Sequence, residues 1–394
     1  MATQAGVGFS GNKDAYQAGY EACSLAIKRA GIEKPDFLIA FSSVGLDQNE
    51  VVRAINEAGG QAPLIGCSDA GEITNAGPGK GGVAVMAIKS DSIKFTIGTG
   101  GKIEGSPREA GSALAKDITG KSAEKINFLL MLTDVLKGNG ADIVRGAQDV
   151  LGQDFLITGG AAGDDFKFKE TFVYYIDQVL PSSIVGVGLS GNFAFGIGAR
   201  HGWTPVGFPK KVTKSHGAVV EEIDGKPALG IYEEYFGKKA EELRSEPLAS
   251  LAITYPLGMS VEGNDELLIR DPITVDEKGA ITCAAEIPEG SEVRLMIGSK
   301  ENAISAAKEA AQKAVSQLGE STPKAAILFD CIARNKLFGK DSGEEIKAIQ
   351  SILGMDVPLI GFYTYGEQAP IGDSPTKPFS CFHNETAVIL VIGE

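Results

Sequence analysis

With 394 residues, 43% of them hydrophobic and 22% charged, the chain has room for two or three ordinary globular domains, and no run approaches the roughly 18 to 20 uninterrupted apolar residues of a membrane span. A formal charge of −14 speaks against nucleic acid and anionic membranes as partners, because both are held through Lys and Arg. Five cysteines without a C-x-x-C and three scattered histidines exclude a disulfide framework or an evident metal centre, and Met1 to Ser10 lacks a secretory pattern; free thiols, no metal and a cytoplasmic location are expected.

In chain order, Asn12 is placed to cap a helix from Lys13 to Ala30 with Gly31 as its stop. Pro35 to Ser43 reads as a buried strand, Gln48 to Ala58 as a helix, and Val83 to Ile88 as a strand. The cycle restarts with strands at Ser92 to Gly98 and Ile126 to Leu132, and helices at Pro107 to Ile118 and Ala141 to Leu151. Short strands follow at Phe172 to Asp177, Ile184 to Leu189 and Asn192 to Arg200. From Lys210 the texture changes: two short strands and a turn between Lys211 and Ala228, a helix at Ile231 to Phe236, turns from Gly237 to Pro247, and β-like pieces from Ala249 to Ile287. The last third resumes the cycle, with strands at Val293 to Ile297, Ala325 to Asp330 and Ala387 to Ile392, and helices at Glu301 to Leu318 and Gly343 to Leu353. Such alternation predicts an α/β protein of internally repeated strand-helix units with mixed sheets. Two domains are expected, 1–207 and 208–394.

Repetition is explicit in two loops. Pro63 to Glu72 and Pro358 to Glu367 both read P-L-I-G-x4-G-E, and a looser third copy runs from Phe155 to Asp164. Each is an apolar strand running into a turn, with a Gly freeing the backbone just before an acid. The acid either locks its own loop, by capping or by pairing with an Arg, or faces a ligand pocket at strand ends. Arg334 is a candidate partner for a ligand carboxylate, Glu367 or Asp69 for an ammonium, and Tyr363 and Tyr365 for a cavity wall. Cys67 and Cys331 are alternative nucleophiles, with His383 the histidine within the repeats that could serve as base.

Glycine clusters at Gly6 to Gly11, Gly77 to Gly82 and Gly186 to Gly191 imitate dinucleotide loops, but recur too often among 51 glycines to carry weight. Ala115 to Ser122 lacks the first Gly of a P-loop and reads as a helix stop. No cofactor is expected.

At GCSDAGEI (Gly66 to Ile73), LFDCIAR (Leu328 to Arg334), PLIGFYTYGEQAP (Pro358 to Pro370) and FHNETAVIL (Phe382 to Leu390), the chain resembles the FIST family, whose N-terminal and C-terminal parts these motifs represent. Val219 to Gly237 resembles the entry to the C-terminal part. The resemblance implies an intracellular sensory module for small ligands, amino acids among them. With no output region following Glu394, a separate signalling partner is expected. The candidate ligand-binding set is Cys67, Asp69, Glu72, Arg334, Tyr363, Tyr365, Glu367, His383 and Asn384, with no residue assigned to catalysis. The competing reading is an enzyme acting through Cys67 or Cys331.

Overall fold

The computed structural model describes residues 3–237, 248–372 and 379–394. Its logic is visible in the strand Phe37–Ser43, which is buried along its whole length. Phe37, Ile39 and Phe41 point into a central core, while Leu38 and Ala40 pack beneath the helices Ala15–Ala30 and Gln48–Ala58. A continuous apolar run is therefore a period-2 strand with two dry faces. The same division recurs at Phe128–Thr133 and Pro323–Cys331: Phe128, Leu130, Ile327 and Phe329 face the centre, and Leu129, Met131, Ala326 and Leu328 face outward toward helices.

Three six-stranded sheets surround that centre and are built alike. In the first, Gln4–Ser10, Val83–Lys89, Phe37–Ser43 and Leu64–Asp69 lie in that order and are followed by the hairpin Phe172–Tyr175 and Gln178–Pro181. In the second, Ile93–Lys102, Ser183–Gly191, Phe128–Thr133 and Ile157–Ala161 are followed by Glu367–Ile371 and Phe379–His383. In the third, Ala194–Arg200, Ala387–Gly393, Pro323–Cys331 and Leu359–Thr364 are followed by Glu72–Thr74 and Gly77–Pro78. Each sheet has one parallel pair at its middle, such as Phe37–Ser43 beside Leu64–Asp69, and antiparallel neighbours around it. Each repeat sends the hairpin after its turn into the sheet of another repeat, and the exchange closes in a ring of three.

The third repeat is interrupted between Arg200 and Lys300 by an eight-stranded antiparallel sheet spanning Thr204–His216 to Glu292–Ile297, with its own apolar core. The expected boundary at 207 falls within Thr204–His216, the strand that enters this insertion. Most predicted elements are present to within a few residues, and the fold is mixed α/β as expected. Four local expectations differ. Asp14, not Asn12, caps the first helix, its carboxylate accepting from Gln17 N–H. Residues after the two P-L-I-G turns are strands that complete foreign sheets, a pairing no local pattern announces. Leu248–Ala252 is helical, and an additional helix, Ile332–Phe338, follows Cys331. Of the turns expected between Gly237 and Pro247, residues 238–247 lie outside the described residues. Among the described residues no helix is long and apolar enough to cross a membrane.

Candidate functional site

The three motif copies meet at one end of the assembly, where the parallel strands finish. Ala70 N–H donates to the Tyr363 carbonyl at 3.2 Å, Gly163 N–H to that of Ser68 at 3.0 Å, and Ala161 N–H to that of Gly366 at 2.8 Å. Gly71 and Gly366 hold φ of +131° and +132°, and a Cβ on Gly366 would stand 2.2 Å from the Phe382 ring. Only glycine fits that turn.

The acids that follow lock their loops and do not face a cavity. Glu72 is fully buried and accepts from Gly82 N–H at 2.7 Å. Glu367, equally buried, accepts from the Thr364 hydroxyl and from Thr386 N–H at 3.2 Å. Asp164 accepts from the N–H groups of Phe168 at 2.9 Å, Lys169 at 2.7 Å and Glu170 at 3.2 Å. Three equivalent acids thus satisfy backbone donors in the loop beside them. Burial raises the carboxyls of Glu72 and Glu367, and that of Asp69, where the Glu72 charge adds to burial. Asp69 accepts from Gly71 N–H at 2.9 Å through one oxygen, while its other oxygen, like one of Glu72, is buried without a hydrogen-bond partner.

Arg334 corrects another expectation. Its guanidinium is wholly buried, lies 3.1 Å from Asp330, bonds Glu345, and donates to the carbonyls of Ala303 at 2.8 Å, Glu385 at 3.2 Å and His201. No donor is left aimed at a ligand carboxylate; the side chain is an internal strut joining the repeat to the start of the insertion. Cys67 sits in the central aromatic and aliphatic core, and burial pushes its thiol up. His383 bonds the Ala369 carbonyl through Nε2 at 2.9 Å, and burial pulls it down to about 4, so it is neutral at physiological pH. Tyr363 is buried and shares no cavity with Tyr365.

Tyr365, Cys331 and Asn384 do come together, lining a cavity of about 420 Å³ between this end of the three-sheet body and the insertion. Ile332, Ala333 and Lys336 of the short helix form one wall, and Ile253, Pro272, Ile273 and Ala284 of the insertion form the opposite one. Phe166 and Phe168 close a third side, Phe168 stacking on Tyr365 with centroids 4.8 Å apart. The loop carrying them is held by Asp164, which also accepts from the Tyr365 hydroxyl, and Asp165, Phe166 and Phe168 all adopt positive φ. Left-handed backbone at bulky residues costs of order 1 kcal/mol each, which the Asp164 hydrogen bonds offset.

Of the polar residues that line the cavity, Asn384 is among the sequence candidates and Asp271 is not. Asp271, from the insertion, lines it and leaves Oδ1 without a hydrogen-bond partner; Asn384, 2% exposed, leaves its Oδ1 likewise. Asp271 meets the carboxyl of Glu385, and burial, with the Asp271 charge behind it, raises the Glu385 carboxyl well above the usual range. Burial raises Asp271 to about 6, partly countered by the Glu385 hydrogen bond and by Arg270. Cys331 is pushed well up, first by burial and then by Glu367 and Asp271, which disfavours its thiolate. Among the described residues no group of His, Cys, Asp and Glu is arranged to hold a metal ion. Asp271 and the two Phe residues lie outside any motif, so only proximity in space could have found them.

A family model described as the FIST N domain matches residues 36–226, and one described as the FIST C domain matches 228–370. An uncharacterized protein of Mycobacterium tuberculosis is 27% identical over 219 residues, covering 55% of this chain and 56% of its own length. An uncharacterized protein of Methanocaldococcus jannaschii is 31% identical over 160 residues, covering 38% of this chain and 31% of its own. The chain thus spans about half the length, or less, of these curated relatives. Among solved structures, a cyanuric acid hydrolase from A. caulinodans aligns over 98% of this chain and 99% of its own at a TM-score of 0.38 and 9% identity. Phosphoribosylformylglycinamidine synthase II from Thermotoga maritima aligns over 99% of this chain and 72% of its own at a TM-score of 0.22 and 10% identity. Neither likeness carries an argument about activity.

Proposed function

This chain belongs to the FIST family, and from that premise we propose that it is a sensory module whose small ligand occupies the cavity between the three-sheet body and the insertion. The observation that carries the reading is a cavity of about 420 Å³, mostly apolar, whose few polar lining residues include Asp271 and Asn384. Such a volume suits a metabolite, and scarce polar groups in an apolar pocket set its orientation. The Asp271 carboxylate calls for N–H donors, so the ligand class is a small molecule with an ammonium or amide on an apolar body, amino acids included. Both walls belong to different parts of the molecule, so a ligand that contacts the two together favours one relative placement over others. That differential affinity is what a separate signalling partner would read. The high-lying thiols of Cys67 and Cys331 support binding over cysteine-dependent catalysis.

A thermal-shift screen of amino acids and simple amines tests this. One chemical class is expected to raise the melting temperature with concentration, reaching about 2.7 kcal/mol of stabilisation at a hundredfold excess over Kd. Asp271→Asn is expected to weaken that response at least tenfold, and Glu72→Gln to leave it unchanged. Silence across the screen, or an equal response in Asp271→Asn, refutes the assignment.

A further inference from the structure

A second cavity, of about 300 Å³, lies between the helix Gly140–Leu151 of the second repeat, the strand Phe379–His383 and the insertion. It shares no lining residue with the first cavity, although Arg270 lines one and Asp271, next in the chain, lines the other. Val144, Met259, Leu268 and Phe382 give it an apolar wall.

Arg270, 2% exposed, brings a guanidinium to this cavity, and among the described residues no acid pairs with it. Its Nε donates to the Glu286 carbonyl at 2.8 Å, and its Nη1 to the carbonyls of Ile269 at 2.8 Å and Phe382 at 3.1 Å. Nη2 makes no hydrogen bond, yet it is not sealed from solvent. Two N–H groups of a charged, almost fully buried side chain are thus left facing the cavity. Arg334, also buried, shows the usual arrangement: burial works against its charge, and Glu345 and Asp330 beside it more than restore it. Arg270 has no such neighbours, and burial pulls it below its ordinary range. A buried charge is costly unless it is paired, and three carbonyls are a partial remedy. The other charges of the lining are already matched or in water. Both oxygens of Glu286 accept from Arg145, the second at 3.0 Å, and Asn139 adds a bond at 2.7 Å. Arg145 also bonds Asp142 at 2.6 Å, and Glu262 is exposed.

We infer that the second cavity binds a small carboxylic acid, its carboxylate on Arg270 Nη2 and its hydrocarbon body on Val144, Met259, Leu268 and Phe382. A guanidinium nitrogen donates and cannot accept, so its partner is an acceptor, and the unpaired charge selects an anionic one. The apolar wall favours a carboxylate with a hydrocarbon body over inorganic phosphate, most of whose oxygens would be left without donors. This site does not rest on the reading of the first cavity: Arg270 attracts acids, whereas Asp271 attracts amines.

The test is calorimetric titration of the full chain with butyrate, isovalerate and hexanoate, with their neutral amides, and with inorganic phosphate. Saturable binding of at least one acid is expected, its amide and phosphate binding at least tenfold more weakly. Because the charge is buried, that affinity is expected to vary little with salt, unlike attachment to exposed lysines. Arg270→Gln and Ser260→Trp, the second adding bulk at an exposed position of the lining, are each checked for unchanged circular dichroism. Both are expected to weaken binding at least tenfold, and if Arg270→Gln does not fold, Ser260→Trp decides alone. Failure of every acid to bind, equal binding in wild type and in each variant that folds, or equal binding of acid and amide or of acid and phosphate overturns the assignment. Simple amines, titrated in parallel, keep the two cavities apart. A response to amines without one to acids removes this site alone; Arg270-dependent acid binding without a response to amines sustains it and removes the first-cavity reading.

Discussion

Asp271 combines an apolar cavity with a buried carboxyl neighbour, Glu385. Its carboxyl, raised to about 6 from an ordinary 3.8, holds a proton more tightly in the folded chain than in the unfolded one. The stabilisation from that proton is therefore complete below about pH 4 and lost as pH rises through about 6. The full shift corresponds to at most roughly 3 kcal/mol, and partial solvent contact through the cavity brings the expected difference to about 1–2 kcal/mol. Asp271→Asn is expected to exceed wild type by that amount at pH 7.5 and to converge with it below pH 4, measured by urea denaturation across a pH series. A difference independent of pH would show that Asp271 is not the group that titrates. At this scale the sequence named Tyr365 and Asn384, which line the proposed cavity, but not Asp271. Three aligned acids advertise equivalence, but a strand-end carboxylate looks the same in one dimension whether it meets a ligand or a backbone N–H. The informative residue was the exception: where the other copies hold Ala70 and Ala162, the third holds Tyr365, which walls the cavity. At the proposed site, the residue that departs from the internal repeat is the one that lines the cavity.

Elements were far more legible, because buried strands and amphipathic helices write their periods into the chain. The glycines are the instructive case: two from the first nucleotide-like cluster, Gly6 and Gly8, serve packing, and the other two repeats hold an equivalent pair. Gly6 and Gly8, Gly98 and Gly100, and Gly196 and Gly198 lie on the outermost body strand of each repeat, and a Cβ at any of them would fall 1.9–2.6 Å from a neighbouring atom. For Gly198 that atom is the carbonyl oxygen of Ala310, 1.9 Å away, in the helix Lys300–Ser316. The alanine face of that helix, Ala303, Ala307, Ala310 and Ala314, completes the close approach. Backbone cannot yield as a side-chain tip can, so Gly198→Ala is expected to cost about 3 kcal/mol or more. Gly120, inside Pro107–Lys121 with nothing within 4 Å of its added Cβ, is the control: Gly120→Ala is expected to stabilise by about 0.5–1 kcal/mol. Chemical denaturation of both variants checks the pair, and equal effects would mean that helix-strand proximity does not set the glycine pattern.

At the scale of the whole molecule, what the sequence conceals is exchange. A strand such as Glu72–Thr74 reads locally as the end of its own turn, and nothing nearby in sequence says that it pairs with Leu359–Thr364, some 290 residues on. The same holds for Glu367–Ile371 beside Ile157–Ala161, and for Phe172–Tyr175 beside Leu64–Asp69. Because each repeat lacks a hairpin that another supplies, and because Phe41 packs on Phe362 at 4.4 Å across the shared centre, no repeat buries its inner face alone. A cut between residues 207 and 208 removes the Glu367–Ile371 and Phe379–His383 strands from the second sheet and opens the aromatic centre to water. Neither half is then expected to melt cooperatively, the two halves mixed are expected to recover a single transition, and the intact chain is expected to unfold in one step of the body. Near-ultraviolet circular dichroism with calorimetry decides the matter. A cooperative transition in 1–207 alone would mean that the first two repeats close a core without the third, and that the ring of exchanged hairpins joins structures already formed instead of creating them.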